Sequence, residues 1–248
     1  IIELIEKDDI PKYLLFLENA FPYMDNYNYH KGMNGIIQEL TGLLKTKNIG
    51  TDSDRALLLD FQATLEIKPE KAIKLEKDAL AQIENITADN ARLVSNLHAN
   101  LGGLYRMNGH PDLAREHMEK SISLLDQFNL LHINDSIPQI ANYAMFLTEQ
   151  QEPERGIAEL QKLSGIIKEY HSDDCLDYAK VQETLGTIYL MTANLPQAKT
   201  HFKRAFKIYE KIWADEPEMI EAKYQEIQEL YPQIGFCIGK NLSGLLTK

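Results

Sequence analysis

The densest group of side chains that could carry out chemistry lies between residues 171 and 177. Metal ligands and acid or base catalysts are drawn from residue types such as His171, Asp173, Asp174, Cys175 and Asp177. All of them lie on one short stretch, which would have to fold back on itself to bring four ligands to one ion. We therefore expect no metal site here, and we expect Ser172 or Asp173 to cap the helix that follows.

The rest of the sequence offers no catalytic constellation. It has no phosphate-binding loop, no zinc-protease pair, no Gly-x-Ser-x-Gly elbow and no dinucleotide fingerprint. His98, His110 and His117 are spread over two predicted helices and the connection between them, so packing and surface roles are expected for them. The sequence therefore predicts a protein that is not an enzyme and that needs no cofactor.

Charge and hydropathy exclude two classes of partner. The chain has a formal net charge of −11 over 248 residues, so nucleic acids and anionic membranes would repel it, whereas cationic peptides match it better. No apolar run approaches the roughly 20 residues that cross a bilayer. Two distant cysteines give no disulfide framework, and we expect a cytoplasmic protein. The chain starts without methionine, and we expect it to be a fragment of a longer protein.

A repeat organises these residues. Proline, an acidic residue and a small residue recur at intervals of 42 residues, beginning at Pro69, Pro111 and Pro153. A preceding landmark, Leu-Gly-x-x-Tyr, begins at Leu101 and again at Leu185. Apolar residues at helical spacing join the landmarks, so each unit is predicted to be a first helix, a short connection and a second helix opened by proline.

The repeat resembles the tetratricopeptide repeat, and its 42-residue period is similar to that of kinesin-light-chain-type repeats. The resemblance implies an all-α fold, a right-handed α-solenoid of stacked antiparallel helix pairs. It divides the chain into a divergent helical pair at 1–50, four repeats over 51–218, and C-terminal capping helices at 219–248. The four repeats are predicted at about 51–92, 93–134, 135–176 and 177–218.

The resemblance also implies a function. In such proteins the first helices line a concave groove that holds an extended peptide or a partner's helix, so we expect a non-enzymatic scaffold for protein–protein interaction. Equivalent amides at Asn100 and Asn142 are expected to hold the backbone of the bound segment. Bonding within the protein's own repeats is the alternative for both. The full set of predicted groove residues is Asn96, Asn100, Arg106, Met107, Asn142, Met145, Glu149, Glu183, Thr184, Thr187 and Met191.

Other interpretations remain open. The chain could be the peptide-sensing regulatory domain of a larger cytoplasmic regulator or nucleotide-hydrolysing protein. A lysine row on one second helix, from Lys199 to Lys211, is either a solvated face or a contact for an acidic partner. An apolar stripe near the C-terminus is expected to seal the last repeat or to form a homodimer contact; it consists of Ile234, Cys237, Ile238, Leu242 and Leu245.

Overall fold

The computed structural model describes residues 10–26, 30–133, 136–230 and 232, and in these ranges every regular element is an α-helix. This confirms the predicted all-α class. The helices, in chain order, are α1 (Ile10–Asn26), α2 (His30–Lys47), α3 (Asp52–Thr64), α4 (Pro69–Leu80), α5 (Ala91–Met107), α6 (Pro111–Gln127), α7 (Ser136–Glu149), α8 (Pro153–Tyr170), α9 (Leu176–Met191), α10 (Leu195–Ile212) and α11 (Pro217–Leu230).

The helices form two compact units, Ile1–Phe128 and Asn129–Lys248. In the first unit α3 packs on α4 and α5 packs on α6, and α4 also contacts α5. In the second unit α7 packs on α8 and α9 packs on α10, and α8 also contacts α9. Each helix pair thus stacks on its neighbour within its unit, which buries the apolar face that a single pair leaves open.

Proline opens the second helix of each pair. Pro69, Pro111 and Pro153 are the first residues of α4, α6 and α8, and Pro196 is the second residue of α10. A proline in the first turn sacrifices no helical hydrogen bond, because the N–H that it lacks has no partner there. The proline landmark therefore sets where each second helix begins, as the sequence predicts.

In three of the repeats the turn between the paired helices has a left-handed residue at one fixed position. Gly109, Gln151 and Ala193 follow one another at the repeat interval, and their φ angles are 73°, 63° and 58°. Only glycine adopts this conformation without steric cost. The second and third copies therefore carry local strain that the first avoids.

Small residues let the paired helices cross closely. A Cβ atom added to Gly102 would lie 2.6 Å from Met118 Cγ, and one added to Gly156 would lie 2.6 Å from the carbonyl oxygen of Ala144. Two repeats have glycine on the first helix and alanine on the second, as in Gly102 and Ala114. The repeat of α7 and α8 reverses this order, with Ala144 and Gly156. In this repeat the glycine at the close helix contact is Gly156 on the second helix, and the first helix carries alanine at position 144.

Within the described residues, no helix is long and apolar enough to cross a membrane.

Candidate functional site

Most of the predicted groove residues lie on one face of their own first helix, and we call these faces the first-helix stripes. The faces comprise residues 96, 100, 103 and 107 on α5, 142, 145 and 149 on α7, and 184, 187 and 191 on α9, whereas Arg106 and Glu183 lie beside them. Spacings of three and four residues place the members of each set on one helix face. The α5 set belongs to the first unit, and the other two sets belong to the second.

Most residues of these stripes are accessible to solvent. Met107 is 80% exposed and Met191, at the equivalent position two repeats later, is 45% exposed. Asn142 and Glu149 are exposed, Met145 and Thr184 are half-buried, and Thr187 is buried at 9%. Arg106 and Asn96 are half-buried. The two methionines therefore contribute little to packing, which was the alternative role for them.

Asn100 and Asn142 differ in what their amides contact. The Asn100 amide nitrogen donates to Asp60 Oδ1 at 2.8 Å and to Glu76 Oε1 at 3.1 Å. Its donors are thus engaged by α3 and α4, which is the alternative raised from the sequence. Among the described residues the Asn142 side chain makes no hydrogen bond. Of the two amides, only Asn142 keeps its full hydrogen-bonding capacity for a ligand.

Asp60, Glu76 and Asn100 form a polar cluster inside the first unit, which we call the carboxyl cluster. Glu76 is 1% exposed, and among the described residues its Oε2 has no hydrogen-bond partner. Burial disfavours the charged form of such a carboxyl group, so the site favours a protonated Glu76. Asp60 and Glu76 are therefore neighbouring carboxyl groups whose pKa values are both raised.

Electrostatics favour this proton. Burial, the charge of Asp60 and the hydrogen bond between the two groups all raise the pKa of Glu76 above its ordinary value of 4.5. Burial also raises the pKa of Asp60 above 3.8, and the negative charge of Glu18 adds to the effect, although hydrogen bonds from Glu76 and Asn100 oppose it. The pair thus behaves as two carboxyl groups that resist becoming doubly charged.

The carboxyl cluster replaces a packing contact found in the other repeats. Counting back 42 residues, Asp60 takes the position of Gly102, and Glu76 takes the position of Met118. Gly102 and Met118 pack directly against each other, as do Gly186 and Phe202 further along. A buried carboxyl pair stabilises a fold less well than apolar residues of similar volume. Packing therefore does not explain why these two positions carry acids.

A groove in the first unit lies beside Asp60. Its volume is about 480 Å³, and residues of the first helices α1, α3 and α5 and of the link before α5 line it. Leucines such as Leu15 and Leu57 supply its apolar part, and Leu15 is 59% exposed. Asn96, one of the predicted groove residues, lines it as well. The groove thus combines apolar surface with acidic groups.

In the second unit Glu183 on α9 contacts side chains of α10 and α11. Its Oε2 accepts a hydrogen bond of 2.6 Å from the Tyr209 hydroxyl on α10, and its Oε1 lies 3.0 Å from Lys223 Nζ on α11. Burial, followed by the charge of Glu183, raises the pKa of Tyr209. For Lys223, burial lowers the pKa, but Glu183 and Glu226 outweigh it and the net shift is upward. Glu183 therefore has a structural contact in addition to any groove role.

His98, His117 and His201 pack between the first and second helices of their repeats. The Nδ1 atoms of His98 and His117 lie 2.9 Å apart, and His117 stacks on Tyr105 with ring centroids separated by 5.4 Å. Two repeats later the same three positions hold Gln182, His201 and Tyr189. There the His201 Nδ1 lies 2.9 Å from Gln182 Oε1, and the ring stacks on Tyr189. The pairing is therefore a repeated packing device between first and second helices.

The chemically dense segment 171–177 covers the link between α8 and α9 and the first two residues of α9. Its N-cap residue is Cys175, whose sulfur accepts from the Tyr178 N–H at 3.4 Å, so the expectation of a Ser172 or Asp173 cap is wrong. The Ser172 hydroxyl instead accepts from the Asp174 N–H inside the link. Asp174 pairs with Lys211. Among the described residues, no three His, Cys, Asp or Glu side chains are placed to hold a metal ion.

The lysine row is solvent-exposed at Lys199, Lys203, Lys207 and Lys211. Lys211 on α10 pairs with Asp174, which lies in the link between α8 and α9. The proposed dimer stripe near the C-terminus, from Ile234 to Leu245, lies outside the described residues.

Fold and surface together define an all-α repeat protein, built from stacked helix pairs with accessible first helices. Residues 136–211 match the tetratricopeptide repeat model. This match confirms the predicted tetratricopeptide repeats in that part of the chain. Domains of this kind are generally protein–protein interaction modules and are typically non-catalytic. No curated protein matches the chain by sequence.

Solved structures resemble the chain in fold. Two are crystal structures of a Podosopora anserina kinesin-light-chain-like protein with nearly identical TPR-like repeats. One of them, a single-residue variant, has 13% identity and a TM-score of 0.65, covering 85% of this chain and 99% of that one. The other has 14% identity and a TM-score of 0.61, covering 79% and 93%. BtubC (BKLC) from P. vanneervenii has 18% identity and a TM-score of 0.54, covering 82% and 74%.

The carboxyl cluster is the feature that sequence inspection missed. Glu76 is an acid at a position that is apolar in the other repeats, and Asp60 stands where the landmark has glycine. Each departs from the repeat on its own, and neither residue alone indicates the pairing. Their spacing does indicate the pairing, because Asp60 and Glu76 are 16 residues apart in the sequence, as are the packed residues Gly102 and Met118.

Proposed function

We propose that this protein is a non-enzymatic interaction module that binds an extended segment of a partner protein along its first helices. The observation that carries the proposal is the exposure of Met107, which is 80% accessible at the end of α5. A methionine that packs against nothing is costly in water but well suited to adaptable apolar contacts. Met191 repeats the arrangement at the end of α9, with 45% exposure.

Asn142 is an exposed polar residue on α7 in the second unit, the unit that also contains Met191. Its amide can accept from one peptide N–H and donate to one peptide C=O. Such a bond selects an extended backbone and not a particular sequence. Asn142 therefore positions a chain bound to the second unit, while Met191 and neighbouring charges select its side chains.

Asn100 has a different role in this proposal. Its two donors hold Asp60 and Glu76, so only its carbonyl oxygen is available to a partner's N–H. Replacing it would also disturb the carboxyl cluster. A test of backbone recognition is therefore cleaner at Asn142.

The test is affinity capture from a lysate of the source organism, with the wild type, Asn142→Ala and Gln161→Ala as baits. Gln161 is an exposed amide on the second helix α8 and serves as the matched control. The partner is then purified, and its affinity for all three proteins is measured by calorimetry. We expect Asn142→Ala to weaken binding about tenfold, the loss of one or two hydrogen bonds, and Gln161→Ala to leave it unchanged. Equal affinities for the three proteins would refute this binding mode.

A peptide-sensing regulatory domain would use the same surface. It differs only in what the longer protein carries, so the capture experiment applies to both interpretations. A short peptide ligand would be found by calorimetry with the peptide fraction of the lysate.

A further inference from the structure

The groove of the first unit has an unusual balance of charge. Among its lining residues, Glu18, Asp54, Asp60 and Asp89 are acidic, and Arg92 is the one cation. Arg92 lies 3.2 Å from Glu18, which engages its positive charge. Asp54 accepts from the Thr51 N–H as part of a capping box. The remaining acids, Asp60 and Asp89, form no ion pair with any of the described residues.

Asp60 lies in the groove close to other polar groups but beside no described cation. The Asn100 amide donates to it at 2.8 Å, and Glu18 contributes a second negative charge nearby. Carboxylates accept several hydrogen bonds, and a guanidinium or ammonium group would supply the missing positive charge. Because the site is partly buried, water screens this attraction less than it would on an open surface.

The apolar part of the groove suits the stem of a long basic side chain. Leu15, Leu57 and Leu93 line it together with the acids. Arginine and lysine pack their methylene stems on apolar surface while the charged head reaches a polar group. The groove, with a volume of about 480 Å³, is large enough for such a side chain and the adjoining backbone.

We propose that this groove binds a basic segment of the partner protein, with an arginine or lysine side chain lying over the leucines and its charged end on Asp60. The inference rests on the proposed function, which it extends by naming the chemistry of the partner. It also gives the carboxyl cluster a purpose, since the acid at position 60 replaces a glycine that packing would favour. The net charge of −11 adds long-range attraction for the same class of partner.

The test uses the full chain and a fluorescein-labelled peptide that contains arginine, leucine and glycine in alternation. A second peptide carries citrulline, which has the same shape without the charge, in place of each arginine. Binding is followed by fluorescence anisotropy for the wild type, Asp60→Asn and Asp78→Asn. Asp78 is an exposed acid on the second helix α4, so its variant changes the net charge equally but leaves the groove intact.

We expect the arginine peptide to bind the wild type and Asp78→Asn alike, and Asp60→Asn about tenfold more weakly, the loss of one charge-assisted contact. The citrulline peptide should lose at least as much. Equal binding to Asp60→Asn and Asp78→Asn would mean attraction to overall charge alone and would overturn the inference. Absence of binding to the wild type would overturn it as well.

A second variant guards against a folding defect in Asp60→Asn. Glu18→Gln keeps all three residues of the carboxyl cluster but removes one negative charge from the groove, so it should also weaken binding of the arginine peptide. Unchanged binding to Glu18→Gln would contradict the inference. The proposed function is judged separately by the Asn142→Ala capture. If that capture succeeds while the arginine peptide fails, the module binds partners but not through a basic side chain at Asp60.

Discussion

Replacing Glu76 by glutamine should remove a large pH dependence of stability. Glutamine has the shape of protonated glutamate, so it can donate to Asp60 and accept from Asn100 as the acid does. In the folded wild type, burial and the Asp60 carboxylate raise the pKa of Glu76 from 4.5 to about 10. The unfolded chain loses this proton near its ordinary pKa.

The magnitude follows from proton linkage. Between these two pKa values the folded state holds one proton more than the unfolded state, so stability is greatest at low pH and falls as the pH rises. The slope is about 1.4 kcal/mol per pH unit. From about pH 5 to about pH 8 the contribution of Glu76 therefore falls by roughly 4 kcal/mol. Glu76→Gln should gain this amount relative to the wild type over the same range.

The assay is urea unfolding followed by far-ultraviolet circular dichroism at a series of pH values. Taking the difference between wild type and variant cancels the other titrating groups. Glu70→Gln is the control, because Glu70 is an exposed acid in the first turn of the same helix. Its pH profile should run parallel to that of the wild type. If the difference between Glu76→Gln and wild type stays constant across the pH range, Glu76 does not hold a proton in the fold and the reasoning is refuted.

Three further predictions concern the helix contacts. Gly156→Ala places a Cβ atom 2.6 Å from the Ala144 carbonyl oxygen, a backbone atom that cannot turn away. Overpacking less the gain in helix propensity should cost about 2 kcal/mol in thermal unfolding, whereas a stable variant would show that the helices separate freely. His98→Gln should reduce the fall in the free energy of unfolding between about pH 6.5 and about pH 4. Burial lowers the pKa of His98 from 6.5 to about 4, so stability is lost as the pH falls below 6.5, by about 1 kcal/mol after allowance for solvent; an unchanged profile would mean that the ring charges freely. Glu183→Gln removes the acid that joins Lys223 to α9 and leaves the ammonium paired with Glu226 on its own helix. It should cost about 1 kcal/mol, with faster hydrogen exchange in α11; unaltered exchange there would show that the ion pair does not hold α11.

Repeat periodicity predicted the helices because one short-range rule governs each of them. Proline at the start of α4, α6 and α8 fixes where a helix begins, and helical spacing of apolar residues fixes which face is buried. The methionines of the first-helix stripes were also placed by counting. Their exposure was not predictable, since it depends on how neighbouring helices pack.

The interactions that sequence alone did not predict are those that join residues far apart in the chain. Asn100 contacts an acid 40 residues earlier, and Glu183 contacts a lysine 40 residues later. The Cys175 cap was missed for another reason, since serine and aspartate are the stronger cap formers and both are present in the link. N-cap preference alone therefore predicts the wrong residue where several possible capping residues are adjacent in the sequence.

The most direct test of the central claim, that partners bind along the first helices, is site-specific photo-crosslinking. A photoreactive phenylalanine analogue is placed at Met107 or Met191 on the first-helix stripes, or at Leu113 on the second helix α6, which is 40% exposed. Each protein is irradiated in a lysate of the source organism. We predict that Met107 and Met191 yield a partner adduct and that Leu113 does not. Adducts formed at Leu113 alone would contradict the account and would place recognition on the second helices.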